Sequence, residues 1–74
     1  MIKRTPKFKD FEVVQLICDF SYLPIGTRGT ILHIYENEFD FAYEIEFIDK
    51  SGQFIAETFA IKESFLTSCT AFKK

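Results

Sequence analysis

FAYEIEFID, Phe41 to Asp49, alternates apolar and acidic side chains with a period of two. Tyr43, Ile45 and Phe47 fall on one side of such a segment, Glu44 and Glu46 on the other. That is the pattern of a strand with one face buried and one in water. Downstream, DKSGQ carries Gly52 at its tip and reads as a hairpin turn, longer than the two-residue optimum. QFIAETFAI, Gln53 to Ile61, then forms the next strand. Upstream, NEFDF supplies Asn37 and Asp40 as turn formers, and GTILHIYE, Gly29 to Glu36, is the strand before it, with Leu32 and Ile34 on one face and Ile31, His33 and Tyr35 on the other.

The segment before that, DFSYLPIGTRG, holds Pro24, Gly26 and Gly29, which interrupt both helix and strand. It is a loop of about ten residues, long enough to be a functional loop on length alone. FEVVQLICDF mixes β-branched and aromatic residues without helical spacing, so its beginning reads as a first strand. After Ile61, KESFL suits a single 3-10 turn, and TSCTAF suits a short fifth strand. Five short strands, a long first loop and no substantial helix predict an all-β, strongly bent antiparallel barrel.

The order EVVQL, long loop, GTRGTIL, then YEIEFIDKSG resembles a small uncharacterised bacterial family catalogued only as a domain of unknown function, over roughly Phe11 to Leu66. More distantly it is similar to SH3-like barrels, including the ribosomal KOW type. The resemblance implies an SH3-like barrel and carries no catalytic residue with it.

Seventy-four residues allow one small domain. The expected organisation is a basic, partly flexible N-terminal arm over 1–10, the barrel over 11–72 and a frayed tail at 73–74. Such a chain buries only about 60% of the surface it exposes when unfolded. Ten Phe and three Tyr compensate, because each ring buries a large area. The formal charge is −2 and unevenly distributed. Lys3, Arg4, Lys7 and Lys9 crowd the start, whereas Glu36 to Asp49 holds six acidic residues and no lysine or arginine. No apolar run reaches the ~18–20 residues of a membrane helix, and MIKRTPKF lacks the apolar core of a signal peptide. The expectation is a cytoplasmic protein with no membrane partner. Cys18 and Cys69 are then free thiols by default, with a regulatory bridge open if the first and last strands adjoin.

Gly26 and Gly29 lack the Lys-Ser/Thr pair and following helix of a phosphate loop, so they are assigned with Gly52 to backbone turns. His33, the sole histidine, alternates with Leu32 and Ile34 and belongs on the solvent side of its strand. Cys18, His33 and Cys69 have no zinc-ligand spacing. A barrel this small is expected to lack a pocket of about 300 Å³ or more, the lower end for small-molecule sites. No catalytic residue, cofactor or metal is expected.

ENEFDFAYEIE is the distinctive constellation: Glu36, Glu38, Asp40, Glu44 and Glu46 interleave with Phe39, Phe41 and Tyr43. Phe39 and Phe41 either stand exposed at the hairpin as interface anchors or fold back to plug the barrel end. Exposed rings ringed by carboxylates suit a basic protein partner. Phe20 and Tyr22 in the long loop form a second candidate patch. The expected function is a non-enzymatic interaction module that inhibits or regulates a protein partner, such as a toxin, nuclease or enzyme subunit, in the manner of an immunity protein or antitoxin. The alternative is nucleic-acid binding through KRTPKFK, which joins charge to an aromatic. The chain is expected to be a monomer, or a dimer formed by edge-strand addition.

Overall fold

The computed structural model describes residues 5–36 and 40–69. Its elements, in chain order, are β1 (Val13–Leu16), β2 (Arg28–Glu36), β3 (Phe41–Ile48), β4 (Phe54–Lys62), a 3-10 turn η1 (Glu63–Phe65) and β5 (Leu66–Ser68). All pairings are antiparallel, and the five-stranded sheet runs β4-β3-β2-β1-β5. The expected strands, the long loop (residues 17–27) and the short turn are therefore all present.

Connectivity forces the sheet to curl. β4 and β5 are its two edges, which in a flat sheet would lie about 19 Å apart, four spacings of roughly 4.8 Å. Only the three residues of η1 join them, a link of roughly 2 Å rise per residue. The edges must approach each other, and the result is a small all-β barrel-like fold.

Curvature also comes from extra residues. Between Ile31 and His33 the β2–β3 register slips, leaving Leu32 as a bulge. The bulge changes the predicted face assignment of β2. Gly29 and Ile31 point inward, and past the bulge Ile34 packs against the core while Leu32 is only half-buried. His33 is exposed as expected. β4 slips twice against β3, at Ile55 and at residues 59–60. There Ala60 adopts φ 62°, a left-handed conformation costly for a residue with a Cβ.

Gly29 has a role other than the turn expected of it. It lies inside β2 between Val14 of β1 and Phe47 of β3. A Cβ there would come within 2.5 Å of Ile45 Cγ2 and 2.8 Å of the Glu46 carbonyl oxygen. Its bare Cα lets strongly bent strands approach. Gly26 and Gly52, with φ of 92° and 89°, are the turn glycines.

The core is the predicted inner face of β3 (Tyr43, Ile45, Phe47), joined by Phe41, packed against Val14, Leu16, Leu23, Ile31, Ile61 and Leu66. Phe8 joins it from the N-terminal segment, 2% exposed, its ring edge-on to Tyr43 at 5.5 Å. Glu63 of η1 fastens that segment, because one carboxylate oxygen accepts both the Lys7 N–H (2.8 Å) and the Tyr43 hydroxyl (2.7 Å). Phe8 is therefore unavailable as the exposed aromatic of a nucleic-acid-binding arm.

Candidate interaction surface

β3 lies between β2 and β4, so Glu44 and Glu46, pointing away from the core, are flanked on both sides and half-buried. Glu46 stands directly opposite Thr30 of β2 and Glu57 of β4, and Glu44 stands opposite His33. Three carboxylates thus gather on one outer face. Like charges directly opposed across strands destabilise a sheet. The Glu57 pKa is raised, first by its hydrogen bond with the Glu44 side chain, then by partial loss of water and by the charges of Glu44 and Glu46.

Aromatic groups bound this strip at both ends. Tyr35, 40% exposed, donates its hydroxyl to Glu44 Oε1 (3.3 Å) and stacks edge-on with His33 at 4.6 Å. Its pKa is raised by burial and then by Glu44. At the far end Phe54, 60% exposed, sits opposite Ile48. Arg28, opposite Ile48, and Lys62, opposite Ala42, mark the outer limits of the acidic area.

The hairpin prediction is partly corrected. Phe41 is 3% exposed and belongs to the core, because β3 keeps its inward phase to its first residue. Asp40 is occupied locally, accepting the Phe41 N–H at 2.8 Å. Glu38 and Phe39 lie outside the described residues, and Glu36 is exposed. Phe20 is half-buried against Phe65 (5.8 Å), so it is a packing residue rather than a free anchor. Tyr22 is exposed as expected. Glu57, Tyr35 and Phe54 were missed. No local signal finds Glu57: pairing counted symmetrically about the Gly52 turn sets it opposite Ile45, and only the extra residue at Ile55 shifts it opposite Glu46.

The expectation of no sizeable pocket is also corrected. An open groove of about 430 Å³ lies between the β1–β2 loop and the β3–β4 turn. Sequence reasoning considered only the barrel interior, whereas this space is formed by two loops at one end of it.

Cys18 and Cys69 are free thiols, and strand register explains why. β1 and β5 pair as Val14 to Ser68 and Leu16 to Leu66, so Cys69 lies beside Val13, whereas Cys18 lies beyond the other end of β1. Val13 to Leu16 alone span roughly 10 Å when extended, already beyond the ~7 Å Cα limit of a disulfide. The adjacency of first and last strands does not bring the thiols together. Among the described residues no group of three His, Cys, Asp or Glu is arranged to hold a metal ion, and no helix is long and apolar enough to cross a membrane.

These features define a small all-β domain with an acidic outer sheet face edged by exposed rings. The chain belongs to the family described as Domain of unknown function (DUF4926), whose model matches residues 10–67. No curated protein and no solved structure matches it.

Proposed function

We propose that this chain is a non-enzymatic interaction module whose acidic outer face binds a basic segment of a protein partner, inhibiting or regulating it as an immunity protein, antitoxin or regulatory subunit would. The observation that carries this reading is the cross-strand pair Glu46 and Glu57 with the Glu44 side chain against Glu57, whose pKa is raised. Unbound, the arrangement costs stability; a partner's lysine or arginine side chains offset that cost. Tyr35 and Phe54 supply the desolvated area that charge alone lacks, and carboxylates around rings both steer and anchor a cationic partner.

The strand order, with β5 returning to pair with β1, supports placing the fold among SH3-like barrels. Nucleic acid is the weaker alternative, since the acidic face repels phosphate and Phe8 is committed to the core. The test is the triple variant Glu44→Lys, Glu46→Lys, Glu57→Lys, compared with the wild type in affinity isolation from the source cells after nuclease treatment. A stoichiometric protein retained by the wild type and lost from the variant, with the thermal midpoint unchanged or higher, is expected. Undiminished retention by the variant would overturn the assignment.

A further inference from the structure

The groove at the loop end carries chemistry of the opposite sign. One wall is the β1–β2 loop, held rigid from within. The Ile25 N–H donates to Asp19 Oδ1 (2.8 Å), the Thr27 hydroxyl to the Pro24 carbonyl (2.7 Å) and the Gly26 N–H to the Leu16 carbonyl (2.8 Å). Phe20 and Leu23 exchange both backbone hydrogen bonds at 2.8 Å, and Leu23 is buried, so the loop is anchored in the core. The other wall is the β3–β4 turn. There Asp49 Oδ1 accepts the Ser51 N–H, the Ser51 hydroxyl and the Gln53 N–H. These donors lower its pKa, the Gln53 N–H most.

Between the walls Pro24, Ile25 and Ile55 present apolar surface, while Arg28 and Lys50 bring positive charge to the lining. Ile25 is 63% exposed, an unusual position for an isoleucine held in place by a rigid loop. Among the described residues the carboxylate of the lining is Asp49, whose Oδ1 is committed to the turn. The space is partly open to solvent, which suits a segment of chain better than a small molecule, since small ligands are usually 70–90% enclosed. Preformed walls lower the ordering cost of binding.

We propose that this groove takes an extended segment of a partner protein presenting a bulky aliphatic side chain followed closely by a carboxylate, the aliphatic group seated between Ile25 and Ile55 and the carboxylate facing Lys50. This goes beyond the acidic-face reading and stands independently of it, because the ligand's charge is reversed. The groove adjoins the acidic face at its Arg28 end, but its lining contains none of Glu44, Glu46 and Glu57.

The test titrates the 15N-labelled full chain with a capped hexapeptide, acetyl-Ser-Gly-Leu-Glu-Gly-Ser-amide, which carries no basic group. Parallel titrations use the same peptide with Lys in place of Glu, the peptide with Ala in place of Leu, and sodium 4-methylpentanoate. Saturable amide shifts centred on Ile25, Arg28, Lys50 and Ile55 are expected. Exchange of Glu for Lys should weaken binding about fivefold, the factor one exposed ion pair supplies. Ile25→Ser and Lys50→Glu, both at exposed side chains, should each weaken the Glu peptide by a similar factor while the spectrum of the free protein stays folded. Absence of saturation, equal affinity for the Glu and Lys peptides, or shifts centred elsewhere would overturn the proposal. Binding of 4-methylpentanoate as tight as that of the peptide would also overturn it, in favour of a small-molecule carboxylate site.

Discussion

Gly29 and Glu57 show how single residues set the terms of this fold. Alanine at position 29 places a methyl group against Ile45 and the β3 backbone, an overpacking that costs about 1–3 kcal/mol. Gly26→Ala and Gly52→Ala meet nothing within 4 Å, so each loses only the preference for positive φ, about 1 kcal/mol. Urea midpoints at unchanged m-value will rank Gly29→Ala as the most damaging of the three. Glu57 makes a prediction about pH. Its pKa in the folded chain lies above the ordinary 4.5, so between those two values the folded state holds more protons than the unfolded one. Stability therefore falls as pH rises from about 4.5 through the raised folded-state value. Glu57→Gln should remove that part of the decline and unfold at a higher temperature than the wild type at pH 7. Thermal unfolding followed from pH 4 to 8 checks it, and a curve parallel to the wild type would refute it.

At the scale of elements, the alternation of β3 was legible because it is paired on both sides, by β2 and β4, and its two faces meet different surroundings. β2 was half legible: its span followed from composition, but the Leu32 bulge inverted the phase of its first half, and a bulge leaves no mark in periodicity. The contribution of the N-terminal segment was hidden for another reason. KRTPKFK reads as a charged arm, yet Phe8 inserts into the barrel end beside Tyr43 while the lysines flanking it stay in water. Its backbone is tied to η1 through Glu63, a contact 56 residues away in sequence that no local pattern announces. Phe8→Ala should cost about 3–5 kcal/mol, the range for emptying a buried aromatic site. For a chain whose total stability is expected to be roughly 4–11 kcal/mol, that loss brings it near the threshold of unfolding at 37 °C, readable by circular dichroism. A loss of less than about 1 kcal/mol would mean that the N-terminal segment is not part of the packed unit.

For the whole molecule, the charge asymmetry seen in the sequence becomes a surface with two characters. Carboxylates that looked like hairpin decoration are drawn by strand pairing into a strip across β3 and β4, whereas the hairpin's own Phe41 turns inward. That an acidic patch exists was legible from the run between Glu36 and Asp49. Its location was not, because the decisive neighbour, Glu57, comes from a different strand in a register that the extra residue at Ile55 shifts. The groove between the two loops was equally hidden, being a property of how the ends of distant segments meet. The central claim is that the outer face of β2–β3–β4 is where a protein partner docks. Its most direct test is a photo-crosslinking residue placed in living source cells at Tyr35 or Phe54, with the exposed Ser68 of β5 as control. A discrete protein adduct at both aromatic positions, absent at Ser68 and lost when Glu44, Glu46 and Glu57 are reversed in charge, is the predicted result. Adducts to nucleic acid, or a protein adduct formed equally at Ser68 and insensitive to those charges, would contradict it.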